Sequence, residues 1–141
     1  MPGGDDLREL AALEAPSIAE IAALAAAAFA ALPVEFQNLC ADVTIRVEDF
    51  AADDVLEELG AESEFEIMGL FQGIGLAADE AVPPTGRLPN AVFLYRRPIL
   101  DYWAEHEETL GAVVAHVLVH EIGHHFGLSD EDMAAIEAKA G

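Results

Sequence analysis

Four histidines and one glutamate lie within the strongly apolar residues 113–126, which begin the segment 113–133, VVAHVLVHEIGHHFGLSDEDM. His120 and His124 are four residues apart, so on a helix both rings leave the same face with their Cβ atoms about 5–6 Å apart. Two imidazoles at this spacing can bind one metal ion at about 2.0–2.1 Å, the usual Zn–N distance. Glu121 points about 100° round the helix from His120, where it can reach a water molecule held by the ion. The segment HEIGH therefore matches the HExxH pattern of a zinc site, with Glu121 as general base.

A catalytic zinc site takes a third protein ligand and leaves the fourth position to water. Gly127 stands where the helix would end with a positive φ, which turns the chain back. Asp130 follows three residues later, so the full pattern is HExxHxxGxxD. Glu131 and Asp132 are alternative third ligands, and a hydrogen-bonded network of buried His and Glu side chains is the alternative to any metal site. The prediction is one zinc ion, bound by the two histidines and Asp130.

The helix that carries this pattern is expected to be buried. From Leu110 to Phe126 the sequence contains no Lys, Arg, Asp, Asn or Gln, and apolar residues occur all round the helix. Such a helix is buried on most sides. An unpaired carboxylate in that setting carries a desolvation cost of several kcal/mol, and each imidazole needs a partner. A metal ion supplies these partners.

The other histidines of the chain and Met133 have alternative interpretations. His116 lies one turn before His120, and it either lines the cleft or binds a backbone carbonyl, or else approaches the metal. His125 is interpreted as structural, and His106, which has acidic neighbours, as exposed to solvent. Met133 either packs in the core or forms a floor beneath the ion.

Local signals predict the elements that position this helix. Ser17 and Glu20 have the spacing of a capping box before an alanine-rich helix, and Gly60 stands where a short helix would end. The glycines at 69, 73 and 75 are interpreted as turn residues rather than a phosphate loop, because no Lys and Ser/Thr pair follows them. Residues 81–90 are predicted to be a surface loop. Helices are expected over residues 17–32, 33–40, 52–60, 98–105, 109–126 and 129–139, and strands over residues 42–50, 64–72 and 91–97, the last stopped by Pro98.

The length and composition predict one acidic domain. The chain has 141 residues, 53% of them hydrophobic, which is enough for a single core, so residues 1–141 are expected to form one domain with residues 1–6 disordered. Its 27 acidic and 6 basic residues give a formal net charge of −21. That charge repels nucleic acid and anionic membranes, so neither is an expected partner. The acidic surface either attracts cations and basic peptides or keeps the protein in solution.

The cysteine content and the N-terminal sequence favour a cytoplasmic protein. One cysteine, Cys40, cannot form an internal disulfide, and it is expected to be packed in the core. The start, MPGGDDLREL, lacks the basic residues that begin a signal peptide. The apolar stretch IAALAAAAFAAL is shorter than the roughly 20 residues that a membrane span needs.

Three segments, GLFQGIGL, LPNAVFLYRRPI and VVAHVLVHEIGHHFGLSDEDM, resemble the small bacterial zincin-like metallopeptidase family over about residues 33–138. The third-ligand position after the glycine turn holds Asp130 where most metzincins have histidine, as in their snapalysin-like variants. The resemblance implies His120, His124 and Asp130 as ligands of one Zn²⁺ ion, and Glu121 as the catalytic base. It also implies an α+β fold: a compact minimal zincin-like domain whose small mixed sheet packs on a buried active-site helix, with N-terminal and C-terminal helices. Metzincins place a methionine turn well beyond the third ligand, whereas Met133 here follows Asp130 by three residues.

The function predicted on this basis is zinc-dependent hydrolysis of a peptide bond in a peptide or protein substrate. His116, Tyr95 and Tyr102 are the candidate donors to the oxyanion, and residues 65–72 are the candidate sheet edge for an extended substrate. The alternative is a non-catalytic zinc-binding interaction module with the same fold. An aminopeptidase-like enzyme or an amidohydrolase of non-peptide substrates is a third possibility. The sequence does not indicate an oligomeric state.

Overall fold

The computed structural model describes residues 4–72 and 90–140, and it contains a three-stranded mixed sheet. The strands are β1, Thr44–Glu48; β2, Gly69–Gln72; and β3, Ala91–Tyr95. Their order is β1-β3-β2, with β3 parallel to β1 and antiparallel to β2. Val92 of β3 is paired with Ile45 on one side and Phe71 on the other. Four of the five β3 residues are buried, as is typical of a central strand.

Seven α-helices accompany this sheet in the described part of the chain. They are α1, Gly4–Ala12; α2, Ile18–Ala30; α3, Val34–Leu39; α4, Asp53–Leu59; α5, Arg96–Glu105; α6, Leu110–His125; and α7, Asp130–Ala140. Ser17 and Glu20 form the predicted capping box at the start of α2. Gly60 ends α4 with a φ of 69°. The helices predicted from these local signals are therefore confirmed, and the fold is the expected α+β class.

Three predicted boundaries are wrong. Helix α1 includes residues 4–6, which were expected to be frayed, because good helix formers follow them in the sequence LRELAA. Residues Glu64–Glu66 form a 3₁₀ turn capped by Ser63, so β2 begins only at Gly69. The third strand ends at Tyr95 rather than at Arg97, and Pro98 lies in the first turn of α5. A proline fits there because the first amides of a helix have no intrahelical acceptor.

Helix α6 lies at the centre of the packing. Helices α2, α5 and α7 and strands β2 and β3 all contact it. Its buried residues are Val113, Val114, Val117, Leu118, Val119, Ile122 and Gly123. The prediction of a buried helix is therefore confirmed, and Cys40 is packed in the same core as expected.

Two further sequence-based predictions concern a membrane span and the segment before β3. Among residues 4–72 and 90–140, no helix combines the length and apolar character needed to cross a bilayer. The glycines at 73 and 75, and the predicted loop apart from its last residue, lie outside the described residues.

Candidate functional site

The two ends of α6 are closed by local hydrogen bonds. Thr109 Oγ1 accepts a hydrogen bond from the backbone N–H of Ala112 at 3.1 Å at the start of the helix. At the end, Leu128 N donates to Gly123 O at 2.9 Å and Gly127 N donates to His124 O at 3.1 Å. With a φ of 74° at Gly127, these bonds form a Schellman motif. This turn reverses the chain, as predicted, and leads directly into α7.

Helix α7 begins at Asp130 and is capped by Ser129. Ser129 Oγ accepts from Asp132 N at 3.1 Å, and Ser129 N donates to Asp132 Oδ2 at 3.2 Å. Asp132 Oδ2 is therefore engaged in the cap, and Asp132 belongs to none of the potential metal-binding groups among the described residues. Glu131 belongs to none of the potential metal-binding groups found among the described residues. Asp130 therefore remains as the candidate third metal ligand, and the turn places it near α6.

His120, His124 and Asp130 meet at one place, where one potential ligand atom from each residue lies within 4.8 Å of the others. The rings of His120 and His124 are 5.7 Å apart between centroids and almost perpendicular, at 86°. His124 and Asp130 are exposed, whereas the side chain of His120 is only 25% exposed. Two nitrogens and one carboxylate oxygen are a ligand set that zinc accepts at catalytic sites. The three predicted ligands are therefore close enough to share an ion once their side chains adjust.

Glu121 lies beside this group and lines a cleft of about 270 Å³. The cleft is bordered by residues 66–69 on one side and by His116, Val117, His120 and Glu121 on the other. Burial raises the pKa of the Glu121 carboxyl above its ordinary value, and the charge of His124 opposes that rise. A raised pKa favours a carboxylate that can both take up and release a proton near neutral pH.

Gly69 allows β2 to approach α6 at the point where Glu121 leaves the helix. A Cβ atom on Gly69 would lie 2.7 Å from Val117 Cγ1 and 3.0 Å from Glu121 Cγ. Real Cβ contacts are longer than this, so any larger residue would push the strand and the helix apart. The absence of a side chain at Gly69 therefore determines how closely the cleft wall stands to the candidate base.

Sequence reasoning missed Glu137, which reaches the same histidines from α7. Its Oε1 atom is 3.0 Å from His116 Nδ1 and 3.8 Å from His120 Nε2. The spacing from Asp130 to Glu137 is seven residues, or two helical turns, so both lie on nearly the same face of α7. That spacing was the available signal, but it identifies a partner only once the helix next to α7 is known.

His116 and His120 are in close contact with each other. Their ring centroids are 3.9 Å apart, and His116 lines the cleft as predicted, although its partner is Glu137 rather than a backbone carbonyl. Burial, followed by the charge of His116, lowers the pKa of His120, and Glu137 opposes the shift. A lowered pKa favours the neutral imidazole, which is the form that binds metal ions.

The other two histidines were expected to be structural, for His125, and exposed to solvent, for His106. His125 is exposed and stacks on Phe71 with the centroids 3.8 Å apart. His106 is exposed, stacks on Tyr102, and has its Nδ1 2.7 Å from Tyr102 O. The Tyr102 hydroxyl donates to Glu108 Oε2 at 3.2 Å.

Met133 and Tyr95 are both buried in the core. Met133 is 0% exposed, as its core interpretation predicts, and a Cβ on Gly123 would lie 2.8 Å from Met133 Cγ. Since Gly123 precedes His124, Met133 packs beneath the histidine-bearing part of α6. Burial and then the charges of Glu48 and Glu121 raise the pKa of Tyr95 to about 12.

Comparison with known proteins identifies a family. The family model described as "Zincin-like metallopeptidase" matches residues 40–140, whereas no curated protein matches the chain. The matched region is more than half of the chain and contains the whole sheet, α6 and α7. Because the match covers the histidine-bearing helix, the turn after it and the acidic helix, we conclude that the chain belongs to the zincin-like metallopeptidase family.

Proposed function

We propose that the protein is a zinc-dependent metallopeptidase that binds one ion through His120, His124 and Asp130 and uses Glu121 as its general base. The main support is the convergence of these three ligand atoms, within 4.8 Å of one another, beside a cleft that Glu121 lines. Zinc bound there would supply the Lewis acidity that activates a water molecule and polarises a peptide carbonyl. The exposure of His124 and Asp130 favours an open coordination position, which a non-catalytic structural site would not keep.

Glu121 moves the proton in the proposed reaction. Its carboxylate takes a proton from the attacking water as the oxygen bonds to the carbonyl carbon of the substrate. It then delivers this proton to the leaving nitrogen when the C–N bond breaks. The burial that raises the pKa of Glu121 makes both transfers easier near neutral pH.

An extended substrate would bind along the wall of the cleft next to β2. Within residues 4–72 and 90–140, β2 pairs with β3 alone, and residues 66–69 lead into β2 while lining the cleft. A peptide can add to such an edge through backbone hydrogen bonds. Of the three candidate donors to the oxyanion, Tyr95 is buried and Tyr102 donates to Glu108, so His116 is the one that lines the cleft.

The test is substitution of Glu121 combined with metal analysis and cleavage of a peptide library. Glu121→Gln is expected to bind zinc like the parent protein and to lose hydrolysis, because the amide is isosteric but is not a base. His120→Ala is expected to lose zinc and the increase in Tm that zinc gives the parent. Cleavage by Glu121→Gln at the rate of the parent would disprove the assignment of the base.

A further inference from the structure

A second group of metal-binding side chains shares His120 with the proposed catalytic site. His116, His120 and Glu137 each offer one ligand atom, and these atoms lie within 4.8 Å of one another. Along α6, His116, His120 and His124 are spaced four residues apart, and along α7 Asp130 and Glu137 are spaced seven apart. The two facing helices therefore present two His–His–carboxylate groups with His120 in common.

One oxygen of the Glu137 carboxylate, Oε1, has no hydrogen bond, although it lies close to the His116 ring. This atom is buried, and it is the one such side-chain atom without a hydrogen bond in the described part of the chain. His116 Nδ1 is 3.0 Å away, but the pair does not have hydrogen-bond geometry. A buried polar atom left unsatisfied costs about 1–3 kcal/mol, and more if it is charged. A cation held between Glu137 and the two rings would remove this cost.

The group is also accessible from solvent. His116 and Glu137 line a cavity of about 370 Å³ between α2 and α6, whose other walls are largely apolar. The side chain of His116 is 55% exposed, so an ion can reach it without opening the core. Two imidazoles and a carboxylate suit a borderline metal such as Zn²⁺ or Co²⁺ better than Ca²⁺ or Mg²⁺.

We propose that His116, His120 and Glu137 form a second binding position for a divalent transition metal, and that it excludes the proposed catalytic position. A neutral imidazole has a free lone pair on only one of its two nitrogens, so His120 can bind one ion at a time. An ion at the second position removes His120 from the catalytic ligands and occupies His116, the candidate oxyanion donor. An ion at the second position is therefore inactive, and each chain holds its single ion at one position or the other.

This division does not depend on the metal concentration. Each state contains one ion, so the ratio of the two states is given by their relative affinities alone. The proposal relies on the proposed function only in taking His120 as a catalytic ligand. Metal binding can be measured without any substrate, so the two proposals can fail separately.

The experiment compares zinc binding by four forms of the full chain: the parent, Asp130→Asn, Glu137→Gln, and the variant with both changes. Each is freed of metal and dialysed against a Zn²⁺ buffer just sufficient to saturate the parent. We expect one ion per chain in the parent and in both single variants. In the double variant we expect less than about one tenth of an ion per chain, because both carboxylate ligands are lost. Melting of each metal-free form, followed by circular dichroism, shows that it is folded.

The alternative outcomes are distinct. Loss of all zinc in folded Asp130→Asn would show that Glu137 cannot replace Asp130, and it would overturn the proposal. Equal binding by Asp130→Asn and the double variant would show that Glu137 is not a ligand. Two ions per chain in the parent would disprove the exclusion. Cleavage measured with Glu121→Gln tests the catalytic proposal independently of these results.

Discussion

Replacement of Gly69 by alanine tests the close approach of β2 and α6. A Cβ at this position would lie 2.7 Å from Val117 Cγ1, 3.0 Å from Glu121 Cγ and 3.1 Å from the backbone oxygen of Phe93. Val117 is a β-branched residue buried in α6, and the Phe93 oxygen belongs to the central strand. Neither can move away as the end of a long side chain could. The strand must therefore shift away from the helix.

Two effects determine the change in the free energy of unfolding. Overpacking by one methyl group in a close-packed core costs about 1–3 kcal/mol. Alanine recovers roughly 0.5–1 kcal/mol of the backbone entropy that glycine loses in a strand. Because the Cβ would lie within 3.1 Å of three atoms, the overpacking cost is expected in the upper half of its range, about 2–3 kcal/mol; with about 1 kcal/mol recovered, the net destabilisation is about 1–2 kcal/mol. With an unfolding entropy of about 2.1 cal/mol/K per residue over 141 residues, Tm should fall by about 3–7 °C.

The assay is thermal unfolding of the metal-free protein in chelator, with Gly111→Ala as the matched control. A Cβ on Gly111 meets no atom within 4 Å, and the residue lies in the first turn of α6. There alanine should leave Tm unchanged or raise it by a few degrees, since it favours a helix by up to about 1 kcal/mol over glycine. A Tm for Gly69→Ala equal to or above that of the parent would refute the packing argument.

The same substitution has a functional consequence. Because the new methyl group contacts the stem of Glu121, Gly69→Ala should lower the rate of peptide cleavage while leaving zinc binding intact. The double variant Gly69→Ala/Val117→Ala lacks the contact with Cγ1. Its loss in the free energy of unfolding should therefore be smaller than the sum of the losses in the two single variants. Additive free energies of unfolding in this cycle would mean that the two side chains do not meet.

Two further predictions concern the caps and the buried cysteine. Ser129→Ala should destabilise the protein by about 1 kcal/mol through loss of the α7 cap, and it should weaken zinc binding because Asp130 is the next residue. Ser17→Ala, which removes the equivalent cap of α2, should cost similar stability without changing the Kd for zinc; an equal Kd in both variants would contradict the role of the cap in positioning Asp130. Burial, with the charge of Asp42, raises the pKa of Cys40 from 9.0 to about 11. The folded thiol therefore keeps its proton when the unfolded thiol has lost it, so the free energy of unfolding should fall between pH 9 and 11, and less so in Cys40→Ala. Identical pH slopes in denaturant titrations of the two proteins would show that the thiol ionises equally in both states.

Much of the fold could be predicted because its helix ends depend on neighbouring residues. The capping pairs of α2 and α7 are three residues apart, and the glycine turn after α6 uses hydrogen bonds that span four or six consecutive residues. The burial of α6 could also be predicted, since its composition excludes most charged side chains. Boundaries were predicted wrongly where the local sequence is compatible with two conformations, as at Arg96, which can continue a strand or begin a helix.

The residues of the candidate site likewise include some that the sequence predicts and others that only the tertiary structure brings together. The spacing of His120 and His124 places them on one face of any helix, and a turn at Gly127 brings Asp130 back towards them, so these residues could be proposed from the sequence alone. The contact of Glu137 with His116 joins residues 21 positions apart on two helices, and the approach of Gly69 to Glu121 joins residues 52 positions apart. Such distances depend on the angle between α6 and α7 and on the packing of the sheet against α6. Sequence periodicity determines which face of an element a residue occupies, but only packing in three dimensions decides which face of another element it meets.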